Sequence, residues 1–171
     1  MSELGEAAKK GIREKGLPLI EEAKTKLPLY ISVRELPLRF QFGTANIQKF
    51  FEGLKEGKIY MTQCKKCGEK FFPPQADCPN CQESNMDWIP LRGEGELLTC
   101  TMIVVKPSTY AHYENYIVGI AQMKDGVRVL AWLRIDDPGK IKPKMKIRLT
   151  TVKREPEGFI TYEFVPEFVP V

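Results

Sequence analysis

Cys64-Lys65-Lys66-Cys67-Gly68 and, after an interval ending at Asp77, Cys78-Pro79-Asn80-Cys81 decide how this chain is to be read. Each Cys-x-x-Cys pair folds as a tight turn aiming two thiolates at one point. Four thiolates complete the tetrahedral shell of a zinc ion and leave no position open for chemistry. Gly68 supplies a residue tolerant of positive φ after the first pair, and Pro79 stiffens the second turn. The expectation is one structural zinc held by Cys64, Cys67, Cys78 and Cys81. The interval between the pairs is shorter than the ~15 to 20 residues of the commonest zinc patterns, which points to a small ribbon or rubredoxin-like pair of knuckles. Iron satisfies the same thiolates and would make an electron carrier, so zinc is preferred and iron stays open. A thioredoxin-like redox pair needs only one such motif, followed by a helix start.

Working upstream, Ile59-Tyr60-Met61-Thr62 reads as a short strand delivering the chain to Cys64. Before it, Ile47, Phe50, Phe51 and Leu54 recur at i, i+3, i+4 and i+7, the stripe of an amphipathic helix. Thr44 or Asn46 serves as its cap, and Gly57 ends it. Residues 1–43 form a lead-in with Leu4, Ala8 and Ile12 at helical spacing and Pro18 placed to open a short helix over 19–24. The triplet Leu-Pro-Leu at 17–19, 27–29 and 36–38 reads as prolines punctuating short elements rather than as a packed repeat.

Downstream, Trp88, Ile89 and Leu91 are placed to pack on the metal subdomain, and from Gly93 the apolar period becomes two. Five strands are expected: one through Leu98, Cys100, Met102 and Val104 as its core face, then 116–123, 127–135, 145–152 and 159–164. Asp125-Gly126 is a two-residue hairpin turn, and Glu157-Gly158 closes the last hairpin. Five antiparallel strands, each with a mainly apolar face, suit a small closed barrel of the OB type better than a flat meander. The fold class is therefore mainly β with N-terminal helices: a helical segment over 1–58, a zinc ribbon over 59–92, and a five-stranded OB-fold barrel with a tail over 93–171.

Composition sets bounds on function. In 171 residues, 26 basic and 22 acidic side chains leave +4, an excess spread thinly along the chain. That argues against nucleic acid, whose binding needs basic clusters. No run approaches the ~18 to 20 apolar residues that span a bilayer, and Glu3 and Glu6 stand where a secretory signal carries base. The chain is read as cytoplasmic, where its five cysteines are not a disulfide framework.

Other residues invite chemistry. His112, the only histidine, lies in a loop with Tyr110, Tyr113 and Tyr116. A polar surface loop is the plain reading; against it, OB barrels bind ligands with this loop, and three tyrosines exceed what solvation requires. Cys100 could be proposed as a thioester nucleophile, but strand parity makes it a buried structural thiol. Lys140, Lys142, Lys144, Lys146 and Arg148 alternate without an acid among them. On an extended chain they form either a solvated strand face or an anion-binding edge for the phosphates of a nucleotide-like cofactor. The doubled Glu-Phe-Val-Pro at 163–170 crosses the barrel or docks on another protein.

Phe50-Phe51-Glu52-Gly53-Leu54, then Gly57-Lys58, Cys64-x-x-Cys67-Gly68, Phe72-Pro73-Pro74, Cys78-Pro79-x-Cys81 and Gly93-x-Gly95 together resemble a known family. It is the zinc-ribbon plus OB-fold family of acyl-CoA-associated proteins, long catalogued as a domain of unknown function. The resemblance covers residues 46–166. It departs at Gln75, where the family usually carries arginine, and at Asn115, where a proline often precedes the tyrosine. It implies a protein that is not itself an enzyme but accompanies thiolases, 3-hydroxy-3-methylglutaryl-CoA synthases or hydratases. Archaeal members are similar to a scaffold joining acetoacetyl-CoA thiolase to that synthase in the mevalonate pathway. On this reading acyl-CoA or the CoA-bearing enzyme meets Phe50, Phe51, Tyr110, Tyr113, Lys142, Lys144, Lys146 and Arg148. Two other classes compete with it: a single-strand nucleic-acid binder, and a thioester-acting enzyme using His112 or Cys100.

Overall fold

A computed structural model describes residues 3–32, 39 and 41–167. The third Leu-Pro-Leu triplet, at 36–38, and the tail from Phe168 onward lie outside the described residues. The chain divides into two units, Met1–Phe42 and Gly43–Val171. Among the described residues no helix is long and apolar enough to cross a membrane.

The first unit holds α1 (Glu3–Lys15) and a hairpin of β1 (Leu19–Glu21) and β2 (Pro28–Tyr30), with Ile20 opposite Leu29. The helix expected over 19–24 does not form. Six residues are too few to offset helix nucleation, whereas cross-strand pairing, closed by Ile31 N–H donating 2.9 Å to Pro18 O, is available to them. Two of the Leu-Pro-Leu triplets thus introduce paired strands.

The second unit begins with a 3-10 turn, Ala45–Ile47, that runs into α2 (Gln48–Lys55). Neither Thr44 nor Ile47, the residues at the two cap positions, makes a side-chain capping bond. Gly57 follows with φ +77° and ends the helix as expected. Phe50 and Leu54 are buried, while Phe51 is 38% exposed. Gly53 has a steric reason: a Cβ there would lie 2.6 Å from the Tyr60 ring, which rests on the helix.

Next come β3 (Tyr60–Cys64), β4 (Lys70–Phe71) and β5 (Met86–Pro90), an antiparallel ribbon in the order β4-β3-β5. β6 (Glu94–Ile103), β7 (Tyr116–Met123), β8 (Arg128–Leu133), β9 (Lys146–Arg154) and β10 (Phe159–Pro166) then close a barrel in the order β10-β8-β7-β6-β9, with β10 also paired to β9. One pair departs from the all-antiparallel expectation: β10 runs parallel to β8, with Glu163 opposite Trp132. The cause is parity, because an odd number of strands cannot close into a ring of alternating directions.

Alternation fills the barrel as expected on β7 and β8, where Ile117, Ala121, Met123, Val129, Ala131 and Leu133 point inward. On β6 it fails. The register shifts between Leu97 and Thr99, and the extra residue of this bulge puts Leu97 inside at 2% exposure and Leu98 outside. Beyond it Cys100 and Met102 keep the expected parity, opposite Gly119 and Ile117, but Met102, near the strand end, and Val104, past it, are exposed. Cys100 is half-buried against the core rather than sealed in it. The barrel core is continuous with the ribbon and α2 through Ile59, Met61, Phe50 and Leu54. Edge-to-face contacts among Phe50, Phe72 and Tyr162, with centroids 5.3 to 6.2 Å apart, join the three.

Candidate functional site

The two knuckles repeat one hydrogen-bond pattern. Cys64 N–H donates 2.8 Å to Glu69 O and Gly68 N–H 2.9 Å to Cys64 O; Cys78 N–H donates 2.9 Å to Glu83 O and Gln82 N–H 2.8 Å to Cys78 O. The fifth position of each turn has positive φ, +75° at Gly68 and +56° at Gln82. The sequences Cys-Lys-Lys-Cys-Gly-Glu and Cys-Pro-Asn-Cys-Gln-Glu are thus the same local fold written twice. The turns are braced by Lys66 Nζ, 2.9 Å from Glu83, and Lys65 Nζ, 3.3 Å from Asp87.

The four sulfurs lie within 4.8 Å of one another, with Cys67 Sγ 3.6 Å from Cys78 Sγ. A tetrahedron built on Zn–S bonds of about 2.3 Å has edges of about 3.8 Å, so the cluster fits the ion. Its electrostatics agree. The Cys67 backbone N–H draws the Cys64 thiol down to about 7, whereas the Cys67 thiol, burial and the other two sulfurs push Cys81 up to about 12. Sulfurs this close cannot all carry negative charge without a cation among them. Bound there, zinc supplies a structural cross-link. Cys64 and Cys78 are fully buried, and the second knuckle is further anchored from β3. Thr62, also fully buried, donates its hydroxyl 3.1 Å to Gln75 O and accepts from Gln75 N–H at 2.9 Å.

A second feature lies at the barrel mouth, where the 104–115 loop faces the 155–158 hairpin over the outer side of β7 and β8. The cleft has a volume of about 450 Å³. It is lined by Tyr110, Tyr113 and Tyr116 of the tyrosine-rich loop together with Trp132, Arg154 and Glu157. Tyr116 stacks on Trp132 at 3.9 Å and 13°, and the Arg154 guanidinium sits 3.7 Å over the Trp132 ring. Glu157 ties the two loops: its carboxylate accepts from the Tyr113 hydroxyl and lies 2.9 Å from His112 Nε2. The Tyr113 hydrogen bond, chiefly, holds the Glu157 carboxyl below its usual range; burial first, and then Glu157, pushes the Tyr113 hydroxyl up to about 12. Arg154 reaches toward Glu163 Oε2 at 3.8 Å. Arg134 Nε lies 2.7 Å from Glu163 Oε1, close enough for an ion pair but without hydrogen-bond alignment.

The remaining sequence candidates fall elsewhere. Phe50, 7% exposed, contributes to the core, leaving Phe51 to face outward. The basic run is not one strand edge: Pro138–Lys140 is a 3-10 turn, Lys144 has φ +58°, and β9 starts only at Lys146. Pro143 and the turn break the alternation, so only Lys146 and Arg148 share an extended face. Arg148 is already paired with Glu167 at 2.8 Å. His112 is bound into the loop clasp rather than set beside a nucleophile. Trp132, Arg154 and Glu157 escaped sequence reading. The only signal for Trp132 was its place on the outward parity of β8; Arg154 and Glu157 carry no local signal.

The zinc-ribbon model of the ChsH2 family, described as rubredoxin-like, matches residues 51–87, and that family's C-terminal OB-fold model matches 88–152. A DUF35 domain-containing scaffold protein of Pyrococcus furiosus is 32% identical over 111 residues, 62% of this chain and 80% of that protein. The benzoylsuccinyl-CoA thiolase subunit BbsA of Thauera aromatica is 27% identical over 60% of this chain and 72% of its own length. Among solved structures, an Ltp2-ChsH2(DUF35) aldolase shares the fold with a TM-score of 0.62 at 24% identity, over 75% of this chain and 98% of that one. The two family models together span residues 51–152, more than half of the chain, and this chain therefore belongs to the ChsH2 zinc-ribbon and OB-fold family of DUF35 proteins.

Proposed function

We propose that the protein is a non-catalytic accessory and scaffold component of an acyl-CoA enzyme of the thiolase type. The observation that carries this reading is a closed four-thiolate centre in a chain whose relatives are named as a scaffold protein and as a thiolase subunit. A metal so enclosed holds structure rather than substrate. The pairing of His112 with Glu157, not with a cysteine or serine, supports the non-enzymatic role. In this reading Cys64, Cys67, Cys78 and Cys81 are the zinc ligands, and the ribbon (59–92) and barrel (93–171) are the working parts. Acetoacetyl-CoA thiolase and 3-hydroxy-3-methylglutaryl-CoA synthase are the proposed partners, in the cytoplasm and the mevalonate pathway, with acyl-CoA as the small-molecule ligand. The outward contacts fall to Phe51, Tyr110, Tyr113, Lys142, Lys144, Lys146 and Arg148.

Affinity purification of the tagged chain from its native source tests this. Thiolase protein and thiolase activity should be recovered together with it. A stable monomer that retains no thiolase and binds no CoA would sink the proposal.

A further inference from the structure

We propose that the basic turn over residues 140–146, Lys-Ile-Lys-Pro-Lys-Met-Lys, is the docking surface for an acidic segment of the partner enzyme. That the partner is an acyl-CoA enzyme rests on the accessory role; that its segment is acidic follows from the turn. Of the 26 basic and 22 acidic side chains in the chain, four basic ones and no acid fall in these seven positions. Elsewhere the two signs are even, so the whole excess of +4 equals the charge of this one turn. Ion pairs are common among the described residues, yet none includes Lys140, Lys142, Lys144 or Lys146. The acids around it are engaged elsewhere or leave it unpaired. Asp137 turns back to accept from Gly139 N–H at 2.9 Å, Glu167 pairs with Arg148, and Asp136 borders the cleft beside Arg134. Glu96, opposite Lys146 in the register of β6 and β9, makes no ion pair with it.

The turn holds these charges in a fixed frame. Ile141 and Met145 pack against the core, and the four lysines between and beside them are exposed. Lys140 N–H donates 3.1 Å to Asp137 O, Ile141 N–H 3.2 Å to Pro138 O and Met145 N–H 3.2 Å to Lys142 O, while Leu97 N–H donates 2.9 Å to Met145 O and ties the turn to β6. Pro138 and Pro143 fix two further φ angles. Little backbone freedom is left to lose on binding. The arrangement also selects among anions. No lysine of the turn lines the mouth cleft or the clefts beside Phe72 and Arg134, whereas a small phosphate ligand is held in a concave site. All four are lysines, hydrated point charges without the planar fork with which arginine grips a phosphate. Single-stranded nucleic acid calls for stacking rings, and residues 140–146 hold none. A membrane surface calls for apolar side chains that insert beside the charge, and here Ile141 and Met145 are turned inward. A carboxylate-bearing protein surface meets all these conditions, and clustered charges steer it into place over about a Debye length, ~8 Å at physiological salt.

The test measures association of the zinc-loaded full chain with two probes, poly-L-glutamate and the thiolase recovered by affinity purification, in about 50 and about 300 mM salt. Lys142→Glu combined with Lys144→Glu should slow association with both about tenfold at the lower salt, and the difference should shrink at the higher. Lys142→Arg combined with Lys144→Arg keeps the charge and should behave like the parent. Lys24→Glu combined with Lys26→Glu changes the net charge equally in the first unit and should slow neither by more than about twofold. Circular dichroism establishes that the variants are folded. Equal slowing by the two reversals assigns the effect to net charge and overturns the proposal, as does absence of poly-L-glutamate binding at the lower salt. Binding to phosphatidylserine vesicles or to an oligonucleotide that is tighter than binding to poly-L-glutamate, and is lost in the 142/144 reversal, also overturns it. Thiolase capture that survives this reversal refutes the turn assignment alone; poly-L-glutamate binding abolished by the reversal, with no thiolase recovered, refutes the partner reading alone.

Discussion

Thr62→Val is the sharpest test of how the ribbon is held together. The side chain is completely buried, and valine is nearly its isostere, so the change opens no cavity and removes only the hydroxyl. That hydroxyl makes two hydrogen bonds, 3.1 Å to Gln75 O and 2.9 Å from Gln75 N–H. At about 1 kcal/mol each the loss is about 2 kcal/mol, equivalent to roughly 6 to 10 °C in Tm for a unit of this size. Thr62→Ser keeps both bonds and loses one buried methyl, about 0.8 kcal/mol. Because Gln75 leads into Cys78, the valine variant should also release zinc faster to a chromogenic chelator, and the serine variant should not. Thermal melts at fixed free zinc and timed chelation provide the two readouts. Equal Tm losses in the two variants, or none in Thr62→Val, would refute the claim that the hydroxyl anchors the second knuckle.

Gly68→Ala should cost about 1 kcal/mol through backbone conformation alone: φ is +75°, and the new Cβ would meet nothing nearer than Gln63 Nε2 at 3.8 Å. Unchanged denaturant midpoints would contradict this. Metal analysis should find about one zinc per chain, and chelation should lower the stability of ribbon and barrel in a single transition because their cores are continuous; coloured, iron-bearing protein would restore the electron-transfer reading. The loop clasp should depend on acid. Since the Glu157 carboxyl is held below its ordinary value of 4.5, the stability it contributes is complete above that pH and lost as pH falls through the lowered value. Trp132 emission should follow that loss, and Glu157→Gln should abolish it; a transition retained in the Gln variant assigns the titration to another group.

The two knuckles, the helix over Phe50 and Leu54 and the alternation on β7 and β8 were legible because each depends on spacing along the chain. A Cys-x-x-Cys turn is complete within a few residues, and an alternating strand carries its inward face wherever it pairs. The misreadings arose where a distant partner decided the outcome. The bulge that turned Leu98 outward exists only in the register between β6 and β7. The 19–21 segment became a strand because 28–30 was available to pair with it. The lysine run lost its single face where a turn and Lys144 interrupted it.

The sequence by itself determined the thiolate centre, whose ligands, number and turn chemistry are local, and with it the ribbon that the metal makes possible. Only the tertiary structure decided the cleft. Tyr110, Trp132 and the neighbouring Arg154 and Glu157 come from three separate places in the chain, and they meet because β10 enters beside β8 to close an odd-numbered ring of strands. That closure is a property of long-range pairing, which no local spacing encodes.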